Sequence, residues 1–102
     1  MIRHCVLVRF RPDVTLEQRA ALYAELESLR EVVPGFLAMY SGPNISPEGL
    51  DQGFADAFTI DFTDEAARDA YLIHPDHKAA GGKLVAALDG GTDGLIVFDM
   101  VV

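Results

Sequence analysis

The chain has 102 residues, enough for one domain over residues 1–102 and too few for two. Its sixteen Asp and Glu against eight scattered Lys and Arg give a net charge of −8, which argues against a nucleic-acid partner or an anionic membrane surface. Half of the residues are hydrophobic, yet no run reaches the roughly 20 apolar residues of a membrane span.

Charge and hydropathy pull apart. The charge favours solubility, while the apolar excess asks for more burial than one small sheet-on-helix layer offers. Self-association, a homodimer, is the simplest outlet. The N-terminal residues show no signal-peptide pattern, and the lone Cys5 can form no intrachain disulfide. A cytoplasmic setting is the default expectation.

Residues 2–10 predict a strand, with Ile2, His4, Val6, Val8 and Phe10 on one face and Arg3, Cys5, Leu7 and Arg9 on the other. Pro12-Asp13 ends it. Thr15-Leu16-Glu17-Gln18 is a capping-box pattern, and a helix is expected to run from there to about Val33. Leu22, Leu26, Leu29 and Val33 give it one apolar stripe. Pro34-Gly35 stops it, and a second strand is expected from Phe36 to about Gly42. Residues 43–49 are dense in turn formers and read as a loop.

Residues 54–62 alternate most cleanly, with Phe54, Asp56, Phe58, Ile60 and Phe62 on one face. Thr63 or Asp64 can cap a second helix through about His74, where Pro75 stops or kinks it. A further helical piece is expected over 76–88, interrupted at Gly81-Gly82 and closed by Gly90-Gly91. Leu95 to Val101 is the last strand. The order strand–helix–strand–strand–helix–strand is the βαββαβ, ferredoxin-like α+β arrangement: a four-stranded antiparallel sheet with its helices on one face. The last strand carries Phe98 and Met100 on one side and Leu95 and Val97 on the other. The uncovered face is therefore apolar, and two such faces could close a dimeric α+β barrel.

Three segments carry a family resemblance: the opening Ile2-Arg3-His4-Cys5-Val6-Leu7-Val8-Arg9-Phe10, the loop Ser46-Pro47-Glu48-Gly49-Leu50, and Tyr71-Leu72-Ile73-His74-Pro75-Asp76-His77. With the closing Leu95-Ile96-Val97-Phe98-Asp99, the chain resembles the stress-responsive A/B barrel (Dabb) domain along essentially its whole length. The resemblance implies a dimeric α+β barrel. One plant member of that family is a polyketide cyclase that closes a poly-β-keto thioester by aldol condensation. Its acid/base Tyr and His correspond to Tyr71 and His77, and a cavity-lining His corresponds to His4. Many relatives carry a His on the third strand, where this chain has Asp56.

The residues themselves support two kinds of role. His77 is a candidate base, since a neutral imidazole can take a proton near pH 7; it could equally hold the bend after Pro75. Tyr71 could donate to a carbonyl or enolate oxygen, or serve as an aromatic anchor beside Ala67. His4 reads as a hydrogen-bonded residue of the apolar face, or as a binding group. Asp56 lies between Phe54 and Phe58, where an unpaired carboxylate is costly. His4 or His77 would be its partner, unless Asp56 sits near the strand end and meets water. No metal or cofactor is implied: Pro75 disturbs the spacing of His74 and His77, and nothing nearby completes a tetrahedral site.

The expectation is a barrel that binds an apolar or aromatic small molecule, with cofactor-free proton transfer if it is an enzyme. The alternative is a non-catalytic dimeric stress or interaction protein. A hollow interior favours the first, and one filled by Phe54, Phe58 and Tyr23 the second.

Overall fold

The computed structural model describes all 102 residues. Its elements run β1 (Ile2–Val8), α1 (Leu16–Glu27), β2 (Phe36–Pro43), β3 (Asp56–Phe62), α2 (Glu65–Ile73), α3 (Pro75–Ala86) and β4 (Leu95–Val101). The strands form one antiparallel sheet in the order β2-β3-β1-β4. This is the ferredoxin-like α+β fold that the element order predicts.

Strand alternation sorts the side chains. Ile2, His4, Val6 and Val8 of β1 and Phe58, Ile60 and Phe62 of β3 are buried on the helix side. Leu26, Leu29 and Val33 close over them, with Leu22 half-buried at the margin. Thr15 caps α1 as expected: Gln18 N–H donates to Thr15 Oγ1 at 3.1 Å, and Thr15 N–H donates to Gln18 Oε1 at 2.8 Å. The helix ends sooner than the stripe suggests, at Glu27, and tightens into a 3₁₀ turn over Ser28–Glu31. There the Ser28 hydroxyl donates to the Glu25 carbonyl at 2.6 Å. The stripe survives because a 3₁₀ turn still places residues three apart on one side.

Other elements also differ from expectation, and β3 begins at Asp56 rather than Phe54. β1 stops at Val8 because Arg9 leaves the ladder: its N–H donates to Gly94 and its carbonyl accepts from Asp89. Phe10 makes only an isolated bridge to Leu88. Gly81-Gly82 does not interrupt a helix, since α3 runs unbroken from Pro75 to Ala86. Pro75 occupies its first turn, where the missing N–H costs nothing, and His74 is the N-cap, accepting from Asp76 N–H at 3.0 Å. Gly35 has φ +89°, and a Cβ there would meet Thr63 Oγ1 at 2.6 Å and Ala67 Cβ at 2.7 Å. Only glycine fits the turn into β2.

The other face of the sheet has no helix over it. Tyr40, Ile96, Phe98 and Met100 are exposed there, and Leu7 and Cys5 are half-buried. Cys5 is thus on the open face rather than in the core. Asp61 is buried on this face, held by Arg3 through Nε at 2.8 Å and Nη2 at 3.1 Å.

Candidate active site

The helix layer leaves a hollow between α2, α3 and the β1–β4 half of the sheet. It has a volume of about 350 Å³ and a mostly apolar lining that includes Val6, Leu26, Phe58, Leu84, Val85 and Val97. The polar members are His4, Tyr71, His77 and Lys78. A somewhat larger hollow, about 420 Å³, lies between α1 and α3, but it is more open and is spanned by the Lys83–Glu25 ion pair. Chemistry, not size, selects the first.

Each of the three ring side chains arrives from a different element. β1 alternation turns His4 to the helix side, where it is 4 % exposed. Tyr71 ends the apolar face of α2, sharing it with buried Ala67. It packs on Phe62 with ring centroids 5.1 Å apart and on Phe36 at 6.0 Å. The His74-Pro75 corner then starts α3 so that His77 falls back against Tyr71, ring centroids 4.3 Å apart. His4 stands edge-on to Tyr71 at 5.9 Å. Three of the four residues singled out in the sequence thus line one cavity.

Hydrogen bonds set the rings. His77 Nδ1 lies 3.1 Å from the Leu72 carbonyl. A carbonyl only accepts, so Nδ1 carries the proton and Nε2 keeps a lone pair. Burial is the main influence lowering the His77 pKa; the Leu72 carbonyl opposes it, and His4 and His74 add to it. The ring is therefore neutral near pH 7. Burial alone pushes the Tyr71 phenol well above its ordinary value, so Tyr71 stays a donor. Its hydroxyl has no partner within the chain. Gly81 is one helical turn beyond His77, and a Cβ there would sit 3.9 Å from His77 Nε2 with nothing closer. The glycine keeps that nitrogen uncrowded.

The fourth residue goes elsewhere. Asp56 meets neither His4 nor His77; it pairs with Arg19 at 3.3 Å and is absent from the cavity wall. The Arg19 guanidinium also lies 4.8 Å over the Phe10 ring and donates to the Val14 carbonyl. The carboxylate that serves His4 is Asp99 of β4, opposite His4 in the β1–β4 register, with Oδ1 2.6 Å from Nδ1. Arg68 of α2 holds Oδ2 of the same carboxylate at 3.0 Å. This Arg68–Asp99–His4 chain engages Nδ1 and leaves Nε2 as the ring nitrogen free for a ligand. Sequence reasoning missed Asp99, although a lone carboxylate on an apolar strand is the same signal that drew attention to Asp56. No group of three or more His, Cys, Asp or Glu side chains could hold a metal ion.

A single antiparallel sheet with helices on one face, an uncovered apolar sheet face and a cavity under the helices define a ferredoxin-like α+β domain, a fold shared with solved dimeric ferredoxin-like proteins. Residues 2–102 match the Stress responsive A/B Barrel Domain, and the chain belongs to that family. It is 26% identical over 88 residues to the stress-response A/B barrel domain-containing protein HS1 of Arabidopsis thaliana, covering 86% of this chain and 81% of that one. A dimeric ferredoxin-like protein of unknown function from Jannaschia sp. CCS1 superposes with a TM-score of 0.90 at 35% identity, covering 99% of this chain and 98% of that one. The hydroxynitrile lyase of Passiflora edulis shares the fold with a TM-score of 0.85 at 18% identity, over 99% of this chain and 92% of that one.

Proposed function

We propose that the cavity binds an apolar or aromatic small molecule bearing a carbonyl, and that His77 and Tyr71 move a proton next to that carbonyl without a cofactor. One observation carries this reading: a mostly apolar hollow of about 350 Å³ into which His4, Tyr71 and His77 converge, with a base and a donor side by side. His77 Nε2 would take a proton from the carbon beside the carbonyl. The developing enolate oxygen would accept from the Tyr71 hydroxyl, with His4, fixed by Asp99, as a further polar contact. The hollow supports this reading over a filled non-catalytic interior; Tyr23 and Phe58 do pack together, but beneath α1. The architecture can carry catalysis, as the Passiflora hydroxynitrile lyase does, but at 18% identity that likeness extends to the fold alone.

The homodimer belongs to the same reading. Tyr40, Ile96, Phe98 and Met100 form an apolar surface on the open face, and the Jannaschia relative that shares 35% identity is dimeric. Two copies packed by these faces would close the barrel and leave each cavity on the outside of the sheets. Sedimentation at micromolar concentration should give twice the chain mass.

A thermal-shift screen of wild type and His77→Ala against aromatic and β-keto carboxylates and thioesters tests the binding. A ligand at about 100 times its Kd stabilises the fold by about 2.7 kcal/mol. The expected result is a shift in wild type that weakens in His77→Ala, followed by turnover that falls at least about a hundredfold in His77→Ala and falls also in Tyr71→Phe. Absence of any shift with folded, dimeric protein would move the assignment to a non-catalytic interaction protein.

A further inference from the structure

The chain carries −8 net charge, yet no Asp or Glu lines the cavity. Of the eight Lys and Arg, six are spent on carboxylates of the chain itself: Arg3, Arg9, Arg11, Arg19, Arg68 and Lys83. Only Arg30 and Lys78 have no ion-pair partner. Arg30 sits on the 3₁₀ turn after α1, away from the hollow. Lys78 is exposed and contributes to the cavity wall one residue after His77. In an acidic protein, an unpaired ammonium at the rim of a carboxylate-free apolar cavity is a specific arrangement. A neutral apolar ligand has no use for it.

We propose that Lys78 anchors a carboxylate on the ligand, so that the cavity selects amphipathic carboxylates: an apolar or aromatic body inside and an anionic head at the rim. This rests on the cavity reading above and narrows its ligand class. Lys78 supplies a point charge on a flexible stem, which suits a head group held at the water boundary rather than buried. Because Lys78 and His77 both line the hollow, a ligand held at the rim by its carboxylate extends its body toward the His77 and Tyr71 end. The same charge would favour encounter with anions that the rest of this surface repels.

The test compares 2-naphthoate with its neutral isostere 2-naphthamide, by isothermal titration calorimetry at low salt and about pH 8, where an ordinary imidazole is neutral. In wild type the acid should bind about fivefold more tightly than the amide, the size of one exposed ion pair. Lys78→Gln should erase that preference while leaving the amide Kd unchanged, and Lys78→Arg should keep most of it. Equal affinities in wild type, or a preference that persists in Lys78→Gln, would overturn the anchor while leaving the cavity reading intact. If neither compound binds, the cavity reading falls and the anchor falls with it.

Discussion

Two carboxylates stand on the helix side of the sheet, and their surroundings differ. Asp56 begins β3 beneath α1, where Arg19 neutralises it and aromatic rings fill the space: Tyr23 packs edge-on against Phe10 at 6.0 Å and Phe58 at 5.9 Å. The Tyr23 hydroxyl is buried there without a partner, and burial, with Asp56 adding to it, pushes its pKa up to about 12. Asp99 lies in β4 beneath α2, where Arg68 pairs with one oxygen and the other holds a histidine that faces a cavity. One residue type thus serves two ends. Both carboxylates meet an arginine from the helix above, Arg19 for Asp56 and Arg68 for Asp99, but only Asp99 also holds a histidine. Where α3 offers Gly81 to the cavity wall, a hollow remains beside that histidine.

This contrast can be broken from either end. At the packed end, Tyr23→Ala should destabilise the fold by about 3 kcal/mol, the range for removing a packed aromatic ring. The same change should leave ligand shifts at the other end nearly intact, as denaturant titration with and without ligand would show. A smaller loss, with altered ligand binding, would mean that the two ends communicate. At the hollow end, Gly81→Ala should stabilise α3 by up to about 1 kcal/mol, because a mid-helix glycine is entropically costly and the new methyl meets nothing closer than 3.9 Å. It should also weaken ligand binding, since that methyl occupies the space beside His77 Nε2. Stabilisation with unchanged binding would show that the ligand does not approach that nitrogen.

The smallest effect concerns pH. The folded-state pKa of His77 is lowered below its ordinary value of 6.5, so near and below pH 6.5 the unfolded chain binds more protons than the folded one. Stability should therefore fall as pH drops through this window, and His77→Gln should fall less steeply. By the same sign, the acid limb of any His77-dependent activity should lie below pH 6.5. A limb above 6.5 would assign it to another group.

Much of this could be read along the chain. Capping at Thr15, the turn at Pro34-Gly35 and the alternation of 54–62, which the structure keeps from Asp56 onward, are local. Tyr71, His77 and His4 were picked out by a motif and by strand parity, and they share one cavity. Of the two readings of Asp56, the histidine pairing does not form: Asp56 sits at the strand end, as the other reading has it, and meets Arg19 there. Parity places Asp56 on the face of His4, but parity does not give register: Asp56 pairs with Val8, four residues along β1 from His4. Both β3 and β4 flank β1, but the residue of β4 opposite His4 is Asp99 while that of β3 is Ile60, and α1 brings Arg19 over Asp56. Propensity alone predicts a break of α3 at Gly81-Gly82, yet the helix continues. Propensity costs of about 1 kcal/mol per glycine are outweighed by packing on either side, at Ala80 and Leu84.

By itself, then, the sequence determined the order and kind of the elements, the apolar character of both sheet faces and the residue types available for proton transfer. These depend on backbone periodicity, capping and turn chemistry acting over a few residues. Only the tertiary structure decided which carboxylate holds which cation, that His77 is bonded through Nδ1, that Gly81 keeps Nε2 clear and that Lys78 stands unpaired at the rim. Those outcomes depend on strand order and on the volume left between a helix and a sheet, quantities set by residues far apart in the chain.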